Sequence, residues 1–118
     1  MAAEDVRVDG VRSYSSPVMG RTINSARDQH FITDSPHGPA EAPGPVEVFL
    51  AGISSCGVQQ AELIAKELGV PLTKAEVAIE GVRPLANTAN FERINLRFEL
   101  TGPDREQASK LVAGYQAR

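Results

Sequence analysis

The hydrophobic pattern of this chain alternates between a period of two and a period of about 3.6, the signatures of strand and helix. From Pro45 to Leu68, apolar side chains recur at Val46, Phe49, Leu50, Ile53, Cys56, Ala61, Ile64 and Leu68. That spacing gives a helix with one wide apolar face. Proline suits a first helical position, because its missing N–H would find no partner there. Glu47 in the first turn complements the helix dipole. Gly69 and then Pro71 supply the stop. Strict alternation follows. Ala75, Val77, Ile79 and Gly81 interleave with Glu76, Ala78, Glu80 and Val82, and Ile94, Leu96, Phe98 and Leu100 with Arg93, Asn95, Arg97 and Glu99. With the turn-rich stretch from Pro84 to Asn90 between them, these predict an antiparallel hairpin. A last helix should start after Thr101-Gly102-Pro103-Asp104, with Ala108, Leu111, Val112 and Tyr115 as its apolar positions.

The N-terminal half is less strongly patterned. Met19 to Thr33 reads as a hairpin, with strands around Thr22–Asn24 and His30–Thr33 and a connection at Ala26-Arg27-Asp28-Gln29. Val6 and Val8 alternate with Arg7 and Asp9 before Gly10, which fits either a short strand or a frayed arm over residues 1–17. Asp34-Ser35-Pro36 closes the hairpin with turn chemistry. Pro36, Gly38, Pro39, Pro43, Gly44 and Pro45 then exclude helix and central strand. The order hairpin, long helix, hairpin, helix is α+β rather than a doubly wound sheet. At 118 residues it predicts a single domain, 1–118.

Composition narrows the function. A net charge of −3 with scattered basic residues and six aromatics gives no electrostatic case for nucleic acid or an anionic membrane. No apolar run suggests a membrane span, and no basic-then-apolar N-terminus suggests a signal peptide. One cysteine excludes an intrachain disulfide and a thiolate zinc site. His30 and His37 are too few and too scattered for a metal centre. A cytoplasmic, reducing compartment is the expectation. The candidate chemistry therefore gathers on Cys56, placed by the periodicity on a buried helix between Ser54, Ser55 and Gly57. It is either an inert core filler or a shielded nucleophile.

The runs His30-Phe31-Ile32-Thr33-Asp34-Ser35-Pro36 and Gly44-Pro45-Val46-Glu47-Val48-Phe49-Leu50-Ala51-Gly52-Ile53-Ser54-Ser55-Cys56 resemble the OsmC/Ohr family, the osmotically induced and organic-hydroperoxide-resistance proteins. Gly69-Val70-Pro71-Leu72 and the Thr101-Gly102-Pro103 before the last helix fit the same pattern, over residues 19–118. The resemblance implies an OsmC-like α+β fold: antiparallel sheets with a long central helix, assembled as an intertwined homodimer. It implies an oxidoreductase of the oxidative stress response, a cysteine peroxidase acting on organic hydroperoxides. Cys56 matches the peroxidatic cysteine. Neither metal nor cofactor is expected, only an external dithiol reductant. The family's second cysteine would fall just beyond Tyr115-Gln116-Ala117-Arg118. Three readings stay open: a natural chain that continues to it, a one-cysteine peroxidase, or a member without the chemistry.

The resemblance further implies an arginine that stabilises the thiolate and a glutamate that orients it. Arg21, which follows a glycine, and Arg27 are the candidates for the first, with Arg21 preferred, and Glu47 is the candidate for the second. Nine helical steps put Glu47 opposite Cys56 on a straight helix, so its role would require a bend at Gly52 or a reach to a partner chain. Phe49, Ile53 and Gln60 are the candidate substrate-binding residues. The alternative is a non-catalytic homodimer that binds an apolar or sulfur-containing small molecule.

Overall fold

The computed structural model describes residues 5–117. These form two compact units, the first ending at Val48 and the second beginning at Phe49. The first unit is built on an antiparallel sheet of three strands in sequential order, β1 (Arg12–Ser15), β2 (Arg21–Ala26) and β3 (Gln29–Asp34). Arg12 pairs with Ser25 and Ser15 with Thr22, while Arg21 pairs with Asp34 and Ala26 with Gln29. The β2–β3 hairpin lies where the pattern placed it. Strand β1 corrects the sequence reading, which left residues 1–17 as an arm or a short strand near Val6. Arg12-Ser13-Tyr14-Ser15 has no apolar alternation, and all four residues are exposed, so no period-two signal announces it. Residues 1–4 of that expected arm lie outside the described residues.

Burial in the first unit is polar. Its buried side chains are Asn24, Thr33 and Asp34. Asn24 accepts a hydrogen bond from Ser13 Oγ at 2.6 Å and donates to the Phe31 carbonyl and to Thr33 Oγ1, both at 3.2 Å. A buried amide so fully engaged fixes strand register instead of costing stability. Tyr14, Phe31 and Ile32 remain exposed.

Helix α1 spans Pro45–Leu68, the bounds that the periodicity predicts. Val70 N donates to the Ala65 carbonyl at 2.9 Å and Gly69 N to the Lys66 carbonyl at 3.4 Å. This is the Schellman closure that a left-handed Gly69 (φ +69°) permits. In the second unit α1 is joined by β4 (Lys74–Val82), β5 (Arg93–Thr101) and α2 (Arg105–Gln116). The β4–β5 ladder aligns Ala75 with Leu100, Val77 with Phe98, Ile79 with Leu96 and Gly81 with Ile94, so one face is apolar and the other charged. Helix α1 crosses that apolar face at Gly57, where a Cβ would come within 3.3 Å of the Phe98 ring and 3.4 Å of Val77. Helix α2 closes the core: Leu111 is fully buried with Ile64 and Ala65, and Val70, Leu72 and Leu100 surround them. Asp104 caps α2 reciprocally, accepting from Gln107 N at 2.8 Å while its own N–H donates to Gln107 Oε1 at 3.0 Å.

Gly102 sits at φ +114°, and a Cβ there would fall on the carbonyl oxygen of Pro71. Gly102→Ala is expected to cost about 2–4 kcal/mol by combining backbone strain with a collision that no rotamer relieves. Chemical denaturation checks this, and a cost below about 0.5 kcal/mol would contradict the close approach.

The expectation that no apolar run matches a membrane span needs amending. Helix α1 has the length and composition for one, with a mean hydropathy of 1.3 over its best 18 residues, because no charge interrupts Val48 to Ala61. Its buried stripe of Gly57, Ala61, Ile64 and Ala65 is taken up by protein within the second unit.

Candidate functional site

Two clusters hold the residues that the sequence singles out. The first is built on the register of β2 and β3. Opposite each other on these strands, Arg21 and Asp34 form a two-pronged ion pair: Arg21 Nε to Asp34 Oδ1 and Arg21 Nη2 to Asp34 Oδ2, both 2.8 Å. Arg21 Nη2 also reaches Glu41 Oε1 at 2.9 Å. Asp34 Oδ2 accepts two further hydrogen bonds, from the backbone N–H groups of Glu41 and Ala42 at 3.0 Å each. The Asp34 side chain is fully buried and that of Arg21 one-quarter exposed. Charge-assisted, forked bonds of this kind are the strong ones. The Arg21 guanidinium, aided by the backbone donors and opposed by desolvation, lowers Asp34 to a pKa of about 2, and Asp34 with Glu41 raises that of Arg21. The proline- and glycine-rich loop is therefore ordered, wrapped on the Asp34 carboxylate. Asp34 N also donates to the Pro43 carbonyl at 3.0 Å and Ser35 N to that of Gly20 at 2.8 Å.

Glu47 does not join this cluster. Its Oε1 accepts the Gly44 N–H at 2.9 Å, and Val48 N donates to the Gly44 carbonyl at 3.0 Å. Glu47 is thus the third residue of α1 reaching back to the residue that caps it, half of a capping box whose other half Gly44 lacks the side chain to supply. The carboxylates around Arg21 are Asp34 and Glu41. Sequence reasoning assigned neither a site role. Their signal was weak: Asp34 stood only as the aspartate of the strand-end run His30 to Pro36, and Glu41 lay inside the loop.

The second cluster lies on α1. Cys56 is exposed, which corrects its placement on a buried helix face. The stripe turned into the unit is Gly57, Ala61, Ile64 and Ala65, and Cys56 stands one helical step of about 100° from it. It belongs instead to an open seam of exposed residues, Phe49, Gly52, Cys56, Gln59 and Leu63, spaced by alternating threes and fours. A Cβ at Gly52 would meet nothing within 4 Å. Ser54 gives its hydroxyl hydrogen to the Ala51 carbonyl at 3.3 Å rather than to the thiol. Phe49 stacks on Phe91 with centroids 5.8 Å apart and planes at 14°, and the Arg83 guanidinium lies 5.6 Å from the Phe91 centroid. Ile53 is half-buried. Gln60 Oε1 is buried with no hydrogen-bond partner among the described residues. Among the described residues no group of His, Cys, Asp and Glu side chains could hold a metal ion.

A three-stranded meander, a long thiol-bearing helix, a hairpin and a capped second helix define an α+β protein with two antiparallel sheets and one thiol placed mid-helix. Residues 38–117 match the family model described as OsmC-like protein; the chain belongs to that family. The hydroperoxide reductase of Mycoplasma genitalium is 28% identical over 94 residues, 75% of this chain and 67% of that protein. Among solved structures, the OsmC-like protein from Mycoplasma pneumoniae superposes with a TM-score of 0.82 at 18% identity, covering 95% of this chain and 82% of that one. The organic hydroperoxide resistance protein OhrB of Bacillus subtilis gives 0.64 at 19% identity, covering 94% and 84%. These likenesses establish the OsmC-like fold.

Proposed function

We propose that this chain is a thiol-dependent hydroperoxide reductase with Cys56 as the peroxidatic nucleophile. The observation that carries the reading is the exposed thiol of Cys56 in the middle of α1, inside the stretch that matches the family. The hydroperoxide reductase among its relatives supports the same assignment. The thiolate attacks one oxygen of the hydroperoxide, and the O–O bond breaks. The leaving alkoxide takes a proton and departs as the alcohol, and Cys56 becomes a sulfenic acid. An external dithiol restores it: one thiol displaces water to give a mixed disulfide, and the second releases the Cys56 thiol as the reductant closes its own disulfide. The reaction needs no metal or cofactor.

In this reading Arg21 stabilises the thiolate. Its Nε and Nη2 are held by Asp34 and Glu41, which leaves Nη1 as the edge for an anion. Asp34 and Glu41 take the orienting role, and Glu47 anchors the start of the helix that carries Cys56. Phe49, Ile53 and Gln60 bind the substrate, and the apolar pair favours an organic hydroperoxide over hydrogen peroxide. The working form is a cytoplasmic homodimer. The exposed seam along α1 has the spacing of a helix–helix contact, and a three-stranded sheet without an apolar core of its own calls for a covering surface.

Trapping tests the reading directly. Protein treated with one equivalent of an organic hydroperoxide and then dimedone should carry a single adduct on Cys56, seen by intact mass and peptide mapping. An unmodified Cys56 would reject the peroxidase assignment. It would favour a non-catalytic dimer that binds an apolar or sulfur-containing small molecule, for which the unpaired Gln60 Oε1 offers an acceptor.

A further inference from the structure

The first sheet carries a second group of side chains with a shared chemistry, and none of them serves the reaction above. Arg12, Ser25 and His30 stand in one row across the three strands, because Arg12 pairs with Ser25 and Ser25 with His30. Tyr14 lies two residues along β1 and so on the same face. Arg27 opens the two-residue connection from β2 to β3. Together with Gly10 these residues line one depression.

Three features distinguish the depression from an ordinary polar surface. First, its cations are unspent. Arg7 pairs with Asp9, Arg21 with Asp34, Arg93 with Glu92 and Arg97 with Glu99, whereas Arg12, Arg27, Arg83 and Arg105 take no carboxylate partner among the described residues, and of these four Arg12 and Arg27 share one depression. Two guanidiniums without a carboxylate line the same depression in a chain of net charge −3, and like charges gathered at one place repel unless an anion lies between them. Second, the neutral groups are pre-arranged. Ser25 Oγ lies 2.7 Å from His30 Nδ1 and 3.4 Å from Tyr14 Oη. When Ser25 donates to Nδ1, Tyr14 gives its hydroxyl hydrogen to Ser25 Oγ and the ring hydrogen sits on Nε2, a donor with no protein acceptor among the described residues. Third, Arg27 adopts φ +56°, at a hairpin position that Asn or Gly occupies at lower cost. A long cationic side chain is kept at the rim despite that cost.

We propose that this face of the first sheet is an oxyanion-binding site in which Arg12 and Arg27, with His30 Nε2 as a neutral donor, take a phosphate-class dianion. Planar guanidiniums match phosphate oxygens in pairs, and the imidazole donor fills a further direction. The chemistry is that of inorganic phosphate or of a terminal phosphate monoester.

The test is an NMR titration of the whole chain with inorganic phosphate at fixed pH and constant ionic strength. Saturable shifts are expected at the amides of Gly10, Arg12, Ser25 and Arg27. The double variant Arg12→Gln/Arg27→Asn should bind at least about tenfold more weakly, since each charged hydrogen bond lost is worth that much. Asn tolerates the left-handed turn position; if the double variant fails to fold, Arg12→Gln alone should show a weakening of about tenfold. Shifts that do not saturate, or an affinity unchanged in the variant, would overturn the site. Equal binding of acetate would overturn the phosphate-class assignment. A phenyl phosphate arm distinguishes the sources, and binding at least as tight as inorganic phosphate assigns the monoester.

Discussion

Cys56→Ser is expected to reduce hydroperoxide consumption, in the presence of an external dithiol, to the rate of buffer with dithiol alone, a loss on the order of 10³-fold or more. Serine keeps the size and the hydrogen-bonding capacity of the side chain but removes the one atom that can accept oxygen at neutral pH. The stability of the variant should change by less than about 1 kcal/mol, because Cys56 lies outside the buried core of its own chain and serine keeps its size wherever the seam is covered. That pairing separates chemistry from folding: a variant that melts like the parent and turns over no peroxide has lost only the nucleophile. Turnover that persists in Cys56→Ser would end the mechanism, since the chain holds no other thiol. The one-cysteine count makes a second expectation. Stoichiometric peroxide without reductant should leave the sulfur as a sulfenic acid that further peroxide oxidises irreversibly to sulfinic acid, because no second thiol in this sequence can protect it as a disulfide within one subunit. Mass spectrometry of samples pre-treated with increasing peroxide should show the sulfinic form accumulating, in step with a loss of activity that dithiol does not restore.

How far the sequence foretold this arrangement depended on whether the relevant signal was local. Helix α1 was legible to its last residue because Pro45, Glu47 and Gly69 are local punctuation and its apolar period is unbroken. The β4–β5 hairpin was legible because Ile94 to Leu100 alternate strictly over one buried and one solvated face. Strand β1 was not, since Arg12 to Ser15 is held by backbone pairing and by Ser13 on Asn24, contacts that leave no trace in hydropathy. Cys56 was placed one step wrong around the helix for a related reason. Small residues blur a helical stripe, and Gly57 rather than Cys56 is the residue against which Phe98 closes. The Arg21–Asp34 pair needs strand register, which is a long-range property. From the chain alone Arg21 could be named as a candidate, but its carboxylate partner could not.

That partner gives the second large effect. Asp34→Asn is expected to lower the thermal midpoint by on the order of 10 °C and to abolish a specific acid limb of the stability profile. The carboxylate accepts four hydrogen bonds, two from Arg21 and one each from Glu41 N and Ala42 N, and every partner is a donor. An amide presents an NH₂ to one side of that ring, so at least one donor faces another inside a buried site. The pH dependence has a definite sign. The folded-state pKa of Asp34, about 2, lies below the ordinary value of 3.8, so the unfolded chain binds the proton more readily. The stability this carboxylate contributes is complete above about pH 4 and is lost as the pH falls toward 2. The substituted amide cannot titrate, so across that window the variant should lose less stability than the parent, although it starts from a lower value. Parallel profiles for the two proteins would mean that Asp34 is not the linked group. Because the same carboxylate holds the guanidinium that the proposed mechanism uses, peroxide turnover should fall with it at a pH where the variant is fully folded. A variant folded and fully active would separate the anchor from the reaction and leave Arg21 with a purely structural role.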